Sequence, residues 1–476
     1  MGKTDGSVRT FFGVPFAQPP IGELRWRPPV PEPSLPNLKD ATQFGSDCMQ
    51  PSFLSRWSKA PGMSEDCLTL NIWASAESQN EQLPVMFWIY GGGFVGGSAS
   101  AFDGSALARK GVIVVAANYR TGVLGYLAHP RLSKESENHV SGNYGVLDQI
   151  AALRWVQRNI ADIGGDPQAV TVFGESAGAT SISLLLTSPL AKGLFSKAIL
   201  QSPGAMRPLA NLEDAEAVGG VVGSDLAAMR AMPPKDLLAL TGRLVPAQRD
   251  LMRPRAIGPI IDGWAVPTEE GSAYRSGTVA RVPIIIGGNA DEGRLFVRGW
   301  PIDTVSRFQA FVAENFGPNA PQILHLYPAA QDSDVAASLS ELFADTQFNL
   351  GIEGVANGMS SLGPTVYRYL FTHPVRGLPP THGDEIPFVF GLNPIQPPSP
   401  ITAGDQRISD AMLGAWAQFA RSGDPNGSGV VWPRYTHASK AYLDFGEEAK
   451  EKVLPPSPRL EFLDRIKAGR EMYTIN

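Results

Sequence analysis

The sequence predicts an α/β fold with a mostly parallel central sheet flanked by helices. Two apolar runs, 85–90 and 112–117, have the length of strands and are nearly continuous, which favours strands buried on both faces of a sheet. Strand-like and helix-like patterns alternate along the chain, as expected where crossover helices connect parallel strands. The 476 residues, of which 43% are hydrophobic, provide for a large core.

The elements follow one another in a consistent order. Candidate strands at 11–15, 68–73, 85–90 and 112–117 are separated by loops rich in Pro and Gly. From Asn143 an apolar stripe at helical spacing predicts a helix that ends at Gly164. Further strands are predicted at 169–174, 197–201 and 282–287. The whole chain, 1–476, is thus predicted to form one domain.

Two stretches interrupt the alternation of strands and helices. Residues 205–280 and 295–362 are rich in Ala and Leu at helical spacing. We interpret both stretches as helical insertions that lie over the active edge of the sheet.

The overall charge and hydropathy exclude several classes of partner. The formal net charge is -6, and no long run of Lys and Arg is present that would follow a phosphate backbone, so we expect no nucleic-acid partner. No apolar stretch approaches the roughly 18 residues of a membrane span. Residues 1–6 are followed by neither an apolar segment nor a small-residue cleavage site, so no export signal is expected in this chain.

The chain has only two cysteines, Cys48 and Cys67. They can close one local disulfide, which would contribute about 3 kcal/mol, or remain two free thiols. Their spacing offers no histidine partners for a structural zinc site, and we expect no metal. The residues alone therefore leave the cellular compartment open.

A serine motif carries the main chemical prediction. Ser176 lies in Gly174-Glu175-Ser176-Ala177-Gly178, which a predicted strand precedes and a helical pattern follows. Small residues two positions to either side permit the sharp strand-to-helix turn that exposes a nucleophilic hydroxyl. The helix N-terminus also favours developing negative charge. This context predicts that Ser176 is a nucleophile.

Three glycines, Gly91 to Gly93, directly follow the apolar strand that ends at Tyr90. Successive glycines leave backbone amides open to a substrate oxygen, as an oxyanion hole requires. A flexible turn is the more common use of a glycine run. Together with the serine motif, however, the run favours an oxyanion hole.

A serine hydroxyl needs a histidine base, and the histidine needs a carboxylate to fix its tautomer. In folds with this serine turn the chain order is serine, acid, histidine. The histidines after Ser176 are His325, His373, His382 and His437. His382 lies in a polar loop with a glycine that can present an imidazole above the sheet, and His373 is the second candidate.

Two adjacent carboxylates are candidates for the acid. Asp291 and Glu292 follow the predicted strand 282–287 and precede His382 in the chain. The spacing does not separate them, and an acidic pair on the surface is the alternative interpretation.

With these segments in place, the chain resembles the type B carboxylesterase and cholinesterase family over almost its entire length. The motifs that carry the resemblance, besides the serine motif, are at 12–17 (Phe-Gly-Val-Pro-Phe-Ala), 64–68 (Ser-Glu-Asp-Cys-Leu), 118–120 (Asn-Tyr-Arg), 164–167 (Gly-Gly-Asp-Pro) and 382–385 (His-Gly-Asp-Glu). The resemblance implies an α/β-hydrolase fold and hydrolysis of carboxylic esters through an acyl-enzyme, with no cofactor.

The resemblance also implies particular residues. Glu292 would be the acid and His382 the base, and the amides of Gly92, Gly93 and Ala177 would form the oxyanion hole. Gly91 would shape the turn. The positions of Cys48 and Cys67 match the first disulfide of the family, which favours an oxidised pair and an exported protein, periplasmic or secreted, with its leader absent from this chain. A cytoplasmic location stays open.

Within the family, the chain is similar to bacterial fumonisin esterases, which remove tricarballylic acid from a long amino-polyol. The similar stretches are 201–204, 253–263 and 287–294. An ester of a polycarboxylic acid carries free carboxylates, which the planar fork of arginine binds well. The candidate binding residues are therefore Arg253, Arg255 and Arg294, and solvation at the surface is the alternative role for any one of them.

Other functions compete with this hypothesis. A broad-specificity bacterial esterase of the p-nitrobenzyl esterase kind would use the same machinery on other small-molecule esters. An acyltransferase would pass the acyl group to an alcohol instead of water. Some family members are binding modules that have lost the nucleophile, but Ser176, Glu292 and His382 are all present here.

Overall fold

The computed structural model of the chain describes residues 2–32, 40–76, 81–245, 248, 250–392 and 400–473. In chain order the strands are β1 (Lys3–Asp5), β2 (Val8–Pro15), β3 (Asp47–Cys48), β4 (Met63–Ser64), β5 (Thr69–Ser75), β6 (Leu83–Ile89), β7 (Ile113–Ala117), β8 (Gly165–Glu175), β9 (Lys197–Gln201), β10 (Ile284–Asn289), β11 (Val366–Phe371), β12 (Ala441–Phe445) and β13 (Ala449–Val453).

Eleven of the described strands form one large sheet in the order β1-β2-β5-β7-β6-β8-β9-β10-β11-β12-β13, and β3 and β4 pair in a separate small sheet. The seven strands from β7 to β12 in this order pair in parallel. The pairs at the two ends of the sheet are antiparallel. The predicted α/β fold with a mostly parallel sheet is therefore confirmed.

Helices cover both faces of the sheet. They are α1 (Ser105–Ala108), α2 (Gly122–Tyr126), α3 (Pro130–Glu135), α4 (Tyr144–Asn159), α5 (Ala177–Thr187), α6 (Leu212–Gly219), α7 (Leu226–Ala231), α8 (Pro234–Leu244), α9 (Glu270–Ser276), α10 (Arg294–Val297), α11 (Val305–Phe316), α12 (Ala320–Leu326), α13 (Val335–Ala344), α14 (Leu350–Ser361), α15 (Ile386–Val389), α16 (Ala403–Ser422) and α17 (Pro458–Tyr473). Of the helices in the described part of the chain, none is both long and apolar enough to cross a membrane.

The central strands form where the apolar runs predict them, because side chains on both faces are buried. β6, β7 and β9 are buried along nearly their whole length. The sequence analysis did not identify β11, β12 or β13. β11 and β12 carry buried charged residues, Arg368 and Asp444, and β13 is a polar strand at the sheet edge, so none of the three has a simple apolar pattern.

The stretch 295–362 is largely helical, whereas in 205–280 the described helices lie within 212–244 and 270–276 and residues 250–269 form loops. Residues from 297 to 348 form a hydrophobic core of their own, centred on Phe308, Val312, Ile323 and Leu342, to which Leu463 of α17 also belongs. α14, at the end of the second stretch, instead packs into the core of the sheet. Cys48 and Cys67 form a disulfide.

Candidate active site

Ser176 lies between the end of β8 and the start of α5. Its backbone has φ 55 and ψ −120, a left-handed conformation that residues with a side chain rarely adopt. Two backbone hydrogen bonds hold it there: the amide of Ser176 donates to the carbonyl of Gln201 (2.9 Å), and the amide of Thr180 donates to the carbonyl of Ser176 (2.8 Å). The strained residue therefore sits at the carboxyl edge of the parallel strands, where the sequence predicts a nucleophile.

The flanking glycines are required by close packing of α5 on β6. A Cβ at Gly178 would overlap the carbonyl of Ile89, and a Cβ at Gly174 would lie 2.5 Å from the same oxygen. Only residues without a side chain fit both positions, so the turn approaches the neighbouring strand closely.

The loop of three glycines lies against the serine turn. A Cβ at Gly91 would lie 2.9 Å from Cβ of Ser176. Gly92 and Gly93 have φ of 115° and 65°, which favours glycine at both positions. The structure thus brings the glycine loop, Ser176 and Ala177 to one place at the edge of the sheet.

His382 contacts Glu292 directly. Nδ1 of the imidazole lies 2.5 Å from Oε2 of the carboxylate, and Glu292 is fully buried. The other carboxylate oxygen accepts hydrogen bonds from Oγ of Ser202 (2.5 Å) and from the amide of Asn289 (2.6 Å). Glu292 is therefore held rigidly, and it fixes the orientation of the imidazole.

The neighbouring carboxylate points elsewhere. Asp291 accepts a hydrogen bond from Oγ of Ser340 (2.9 Å) and forms an ion pair with Arg294 (3.1 Å). Of the two acids that the sequence left open, Glu292 is the one in contact with His382.

The second candidate histidine has a different environment. His373 is buried, with Nε2 2.8 Å from Oδ1 of Asp405 and Nδ1 3.0 Å from the carbonyl of Gly446. Both ring nitrogens are engaged in holding the start of α16 near the end of β12, which is a structural role.

The far edge of the His382 ring faces the serine turn. Its Nε2 lies 3.0 Å from Oε1 of Glu175, the residue before Ser176. Phe348 and Phe296 pack on the imidazole with ring centroids 4.4 Å and 4.9 Å away. Burial alone would lower the pKa of His382, but the charges of Glu175 and Glu292 outweigh it and raise this pKa to about 10.

A third carboxyl group is buried behind the imidazole. Glu385 accepts hydrogen bonds from Nε2 of Gln201 (3.0 Å) and Nδ2 of Asn289 (2.6 Å). Burial, followed by the nearby charges of Glu175 and Glu292, raises the pKa of Glu385 to about 8. Near neutral pH, Glu385 therefore favours its protonated, neutral form.

The sequence analysis missed Glu175, Ser202 and Glu385 as site residues. Each position carried a signal. Glu175 lies within the serine motif, Ser202 directly follows the predicted strand 197–201, and Glu385 lies three residues after His382. Residues at the carboxyl ends of parallel strands meet at one edge of the sheet, and this rule would have placed Glu175 and Ser202 near Ser176.

Two of the three candidate arginines border a cavity beside the glycine loop. The cavity has a volume of about 350 Å³ and is lined by Gly93, Arg253 and Arg255, among other residues. Nη1 of Arg255 lies 3.5 Å from the carbonyl of Gly93. The Arg253 side chain is 74% exposed and pairs with Asp250 at 3.2 Å.

The third candidate, Arg294, is not among the residues that line this cavity. Its guanidinium pairs with Asp291 and donates to the carbonyl of Pro379 (2.5 Å). The structure therefore separates Arg294 from Arg253 and Arg255, and it adds Thr180, Arg207 and Gln347 as polar lining residues that the sequence did not indicate.

Among the described residues, Nε2 of His382 forms no hydrogen bond, and its near neighbour is Glu175 and not Ser176 itself. A strained serine at the edge of a mostly parallel sheet, together with a buried imidazole–carboxylate pair, is typical of serine hydrolases of the α/β-hydrolase fold. The model of the carboxylesterase family matches residues 1–462, and the chain belongs to that family. It is a carboxylic ester hydrolase of the serine type, as the sequence predicts.

Several characterised proteins are similar over nearly the whole chain. Fumonisin B1 esterase of Sphingopyxis macrogoltabida is 46% identical over 93% of this chain and 84% of its own length. Para-nitrobenzyl esterase of Bacillus subtilis is 36% identical over 97% of this chain and 96% of its own length. A solved structure of PNB esterase superposes with a TM-score of 0.85 at 34% identity, covering 97% of this chain and 96% of that one.

Proposed function

We propose that this carboxylesterase hydrolyses esters of polycarboxylic acids, with the tricarballylate esters of fumonisins as the model substrate. The observation that carries the proposal is the cavity beside Gly93, because Arg253 and Arg255 both border it. A free carboxylate of the acyl group would be bound there by a guanidinium while the ester carbonyl lies at the glycine loop. The 46% identity to a fumonisin B1 esterase supports the same substrate class.

In the proposed mechanism, His382 removes the proton of Ser176 as the hydroxyl attacks the ester carbonyl. Glu292 holds Nδ1 of the imidazole at 2.5 Å and stabilises the cation that forms. The amides of Gly92, Gly93 and Ala177 stabilise the tetrahedral oxyanion. The imidazole then protonates the departing alcohol, and water repeats the cycle on the acyl-enzyme.

We further propose that the protein is exported. The Cys48–Cys67 disulfide supports this location, because such bonds persist in oxidising compartments and are rare in the cytosol.

The proposal is tested by steady-state kinetics on two esters. Fumonisin B1, with released tricarballylic acid quantified, represents the polycarboxylate substrate, and p-nitrophenyl butyrate represents a neutral ester. We expect Arg255→Ala to raise KM for fumonisin B1 about tenfold, because one charge-assisted contact with the substrate is lost. KM for the neutral ester should change much less.

Two further variants serve as controls. Ser176→Ala should lower kcat for both esters by several orders of magnitude while the protein remains folded. Arg294→Ala should behave like the unchanged protein on both, since its guanidinium pairs with Asp291 instead of lining the cavity. An equal loss on both esters in Arg255→Ala would indicate a broad-specificity esterase of the para-nitrobenzyl esterase kind.

A further inference from the structure

Arg207 lies in the wall between two cavities. It lines the cavity of about 350 Å³ beside Gly93 and a second one of about 590 Å³. The two cavities share Arg207, Pro208, Leu209, Leu251 and Pro254 as lining residues. A ligand that fills the first cavity therefore lies alongside this arginine.

Two hydrogen bonds orient the Arg207 guanidinium. Nε donates to the carbonyl of Gly204 (2.7 Å), and Nη1 donates to Oε1 of Gln347 (3.1 Å). Gln347 is itself buried and fixed, because its Nε2 donates to the carbonyl of Leu251 (3.2 Å). These two contacts orient the planar fork of the guanidinium, which is the geometry that binds a carboxylate.

The segment that carries Gln347 has an unusual backbone. Residues Asp345–Asn349 form a π-helical turn between α13 and α14. Such turns are rare and occur frequently at functional sites. This one places Gln347 in the cavity wall and Phe348 on the ring of His382.

Gly204 connects Arg207 to the serine turn. A Cβ at Gly204 would overlap the Arg207 guanidinium, so the glycine makes room for it. The Gly204 amide donates to Oγ1 of Thr180 (2.9 Å), which in turn donates to the carbonyl of Ser176 (2.9 Å). Gly204, Thr180 and Arg207 line the same cavity. The position of the guanidinium is thus fixed relative to the residue that would carry the acyl group.

Building on the proposed function, we propose that Arg207 is the specificity-determining residue for the acyl group and binds its free carboxylate. Arg253 is mostly exposed and paired with Asp250, so water and a partner compete for it. Arg207 is oriented by Gly204 and Gln347 before any ligand arrives, and preorganisation of this kind favours binding.

The test uses two esters with the same leaving group and the same number of acyl carbons. p-Nitrophenyl hydrogen adipate ends in a carboxylate, and p-nitrophenyl hexanoate ends in a methyl group. The measured quantity is the ratio of kcat/KM for the adipate to kcat/KM for the hexanoate, after subtraction of the rate with Ser176→Ala. We expect Arg207→Ala to lower this ratio about tenfold or more.

Two variants make the test specific. Arg207→Lys keeps the charge but not the planar fork, so its ratio should lie between those of Arg207→Ala and the unchanged protein. Arg307→Ala, which removes an exposed arginine paired with Asp303 at 2.6 Å, should leave the ratio unchanged. Thermal unfolding of each variant separates loss of binding from loss of fold.

The outcomes separate this inference from the proposed function. If the unchanged protein does not prefer the adipate, the proposed polycarboxylate substrate is wrong. If it prefers the adipate and Arg207→Ala keeps that preference, or loses both activities by the same factor, the role of Arg207 is wrong while the proposed function stands.

Discussion

Two carboxylates lie close to the imidazole of His382, the residue that we propose as the general base. Glu292 contacts Nδ1 of the imidazole, and Glu175 lies 3.0 Å from Nε2. Both charges stabilise the imidazolium form and raise the pKa of His382 above its ordinary value of 6.5. In the proposed mechanism only the neutral imidazole accepts a proton from Ser176, so we expect activity to rise with pH well above neutrality.

The corresponding prediction concerns Glu175→Gln. Removing the charge beside Nε2 destabilises the imidazolium, so the pKa of His382 should fall and the ascending limb of kcat/KM against pH should move to lower pH by about one unit or more. The measurement is a pH profile of p-nitrophenyl butyrate hydrolysis.

A matched substitution controls for loss of a carboxylate in general. Glu353 is paired with Arg368 and Lys440 instead of His382, so Glu353→Gln should leave the profile in place. An ascending limb that does not move in Glu175→Gln would contradict the contribution of Glu175 to the raised pKa of His382.

At the scale of elements, the site depends on how closely α5 approaches β6. The helix begins directly after Ser176, and Gly178 in its first turn packs on the carbonyl of Ile89. The apolar runs of the sheet determine which strands form, but this contact determines the height of the serine turn above them. The conformation of Ser176 therefore rests on backbone packing as well as on its own motif.

We expect Gly178→Ala to destabilise the protein by about 2 kcal/mol, because the new Cβ must displace the backbone of β6 or α5. The shift should also lower kcat. Chemical denaturation gives the free energy of unfolding, and p-nitrophenyl butyrate hydrolysis gives kcat.

Gly242 of α8 provides the comparison, since no atom of the described residues lies within 4 Å of a Cβ at that position. Gly242→Ala should stabilise the helix by up to about 1 kcal/mol and leave kcat unchanged. If the Gly178→Ala protein were as stable as the unchanged protein, close packing of α5 on β6 would not be the reason for glycine at this position.

At the scale of the whole molecule, the chain has a main core on the sheet and a second core in the residues around 297–348. The second core includes Phe348, which packs on the ring of His382, and its neighbour Gln347 lines the cavity beside Gly93. The disulfide belongs to the main core, and its cysteines are far in sequence from residues 297–348.

Reduction of the disulfide should lower global stability without altering the chemistry. The cysteines are 19 positions apart, and the double variant Cys48→Ser/Cys67→Ser should lose about 3 kcal/mol of unfolding free energy. Denaturant titrations with and without a reducing agent measure the change. The reductant should shift the unchanged protein by a similar amount and the variant not at all.

Much of the fold was predictable because burial on both faces leaves a clear pattern. The strands at 85–90, 112–117 and 197–201 are close to the observed β6, β7 and β9. The strands β11 to β13 were not predicted, since their buried charges or polar edge positions hide the pattern. β11 and β12 are buried by pairing between strands that are distant in the chain, and β13 is a mostly exposed edge strand.

By itself, the sequence determined the class of chemistry. Short motifs and the order of residues along the chain are visible in the sequence without coordinates. Here they are the serine motif, the glycine run and the order of acid and histidine. Only the tertiary structure decided that Glu292 and not Asp291 contacts His382, that Arg294 lies apart from the cavity, and that Arg207 borders it. Two adjacent residues of the same chemical type look equivalent in the sequence, but their side chains point in different directions. Packing between segments that are far apart in the chain sets those directions.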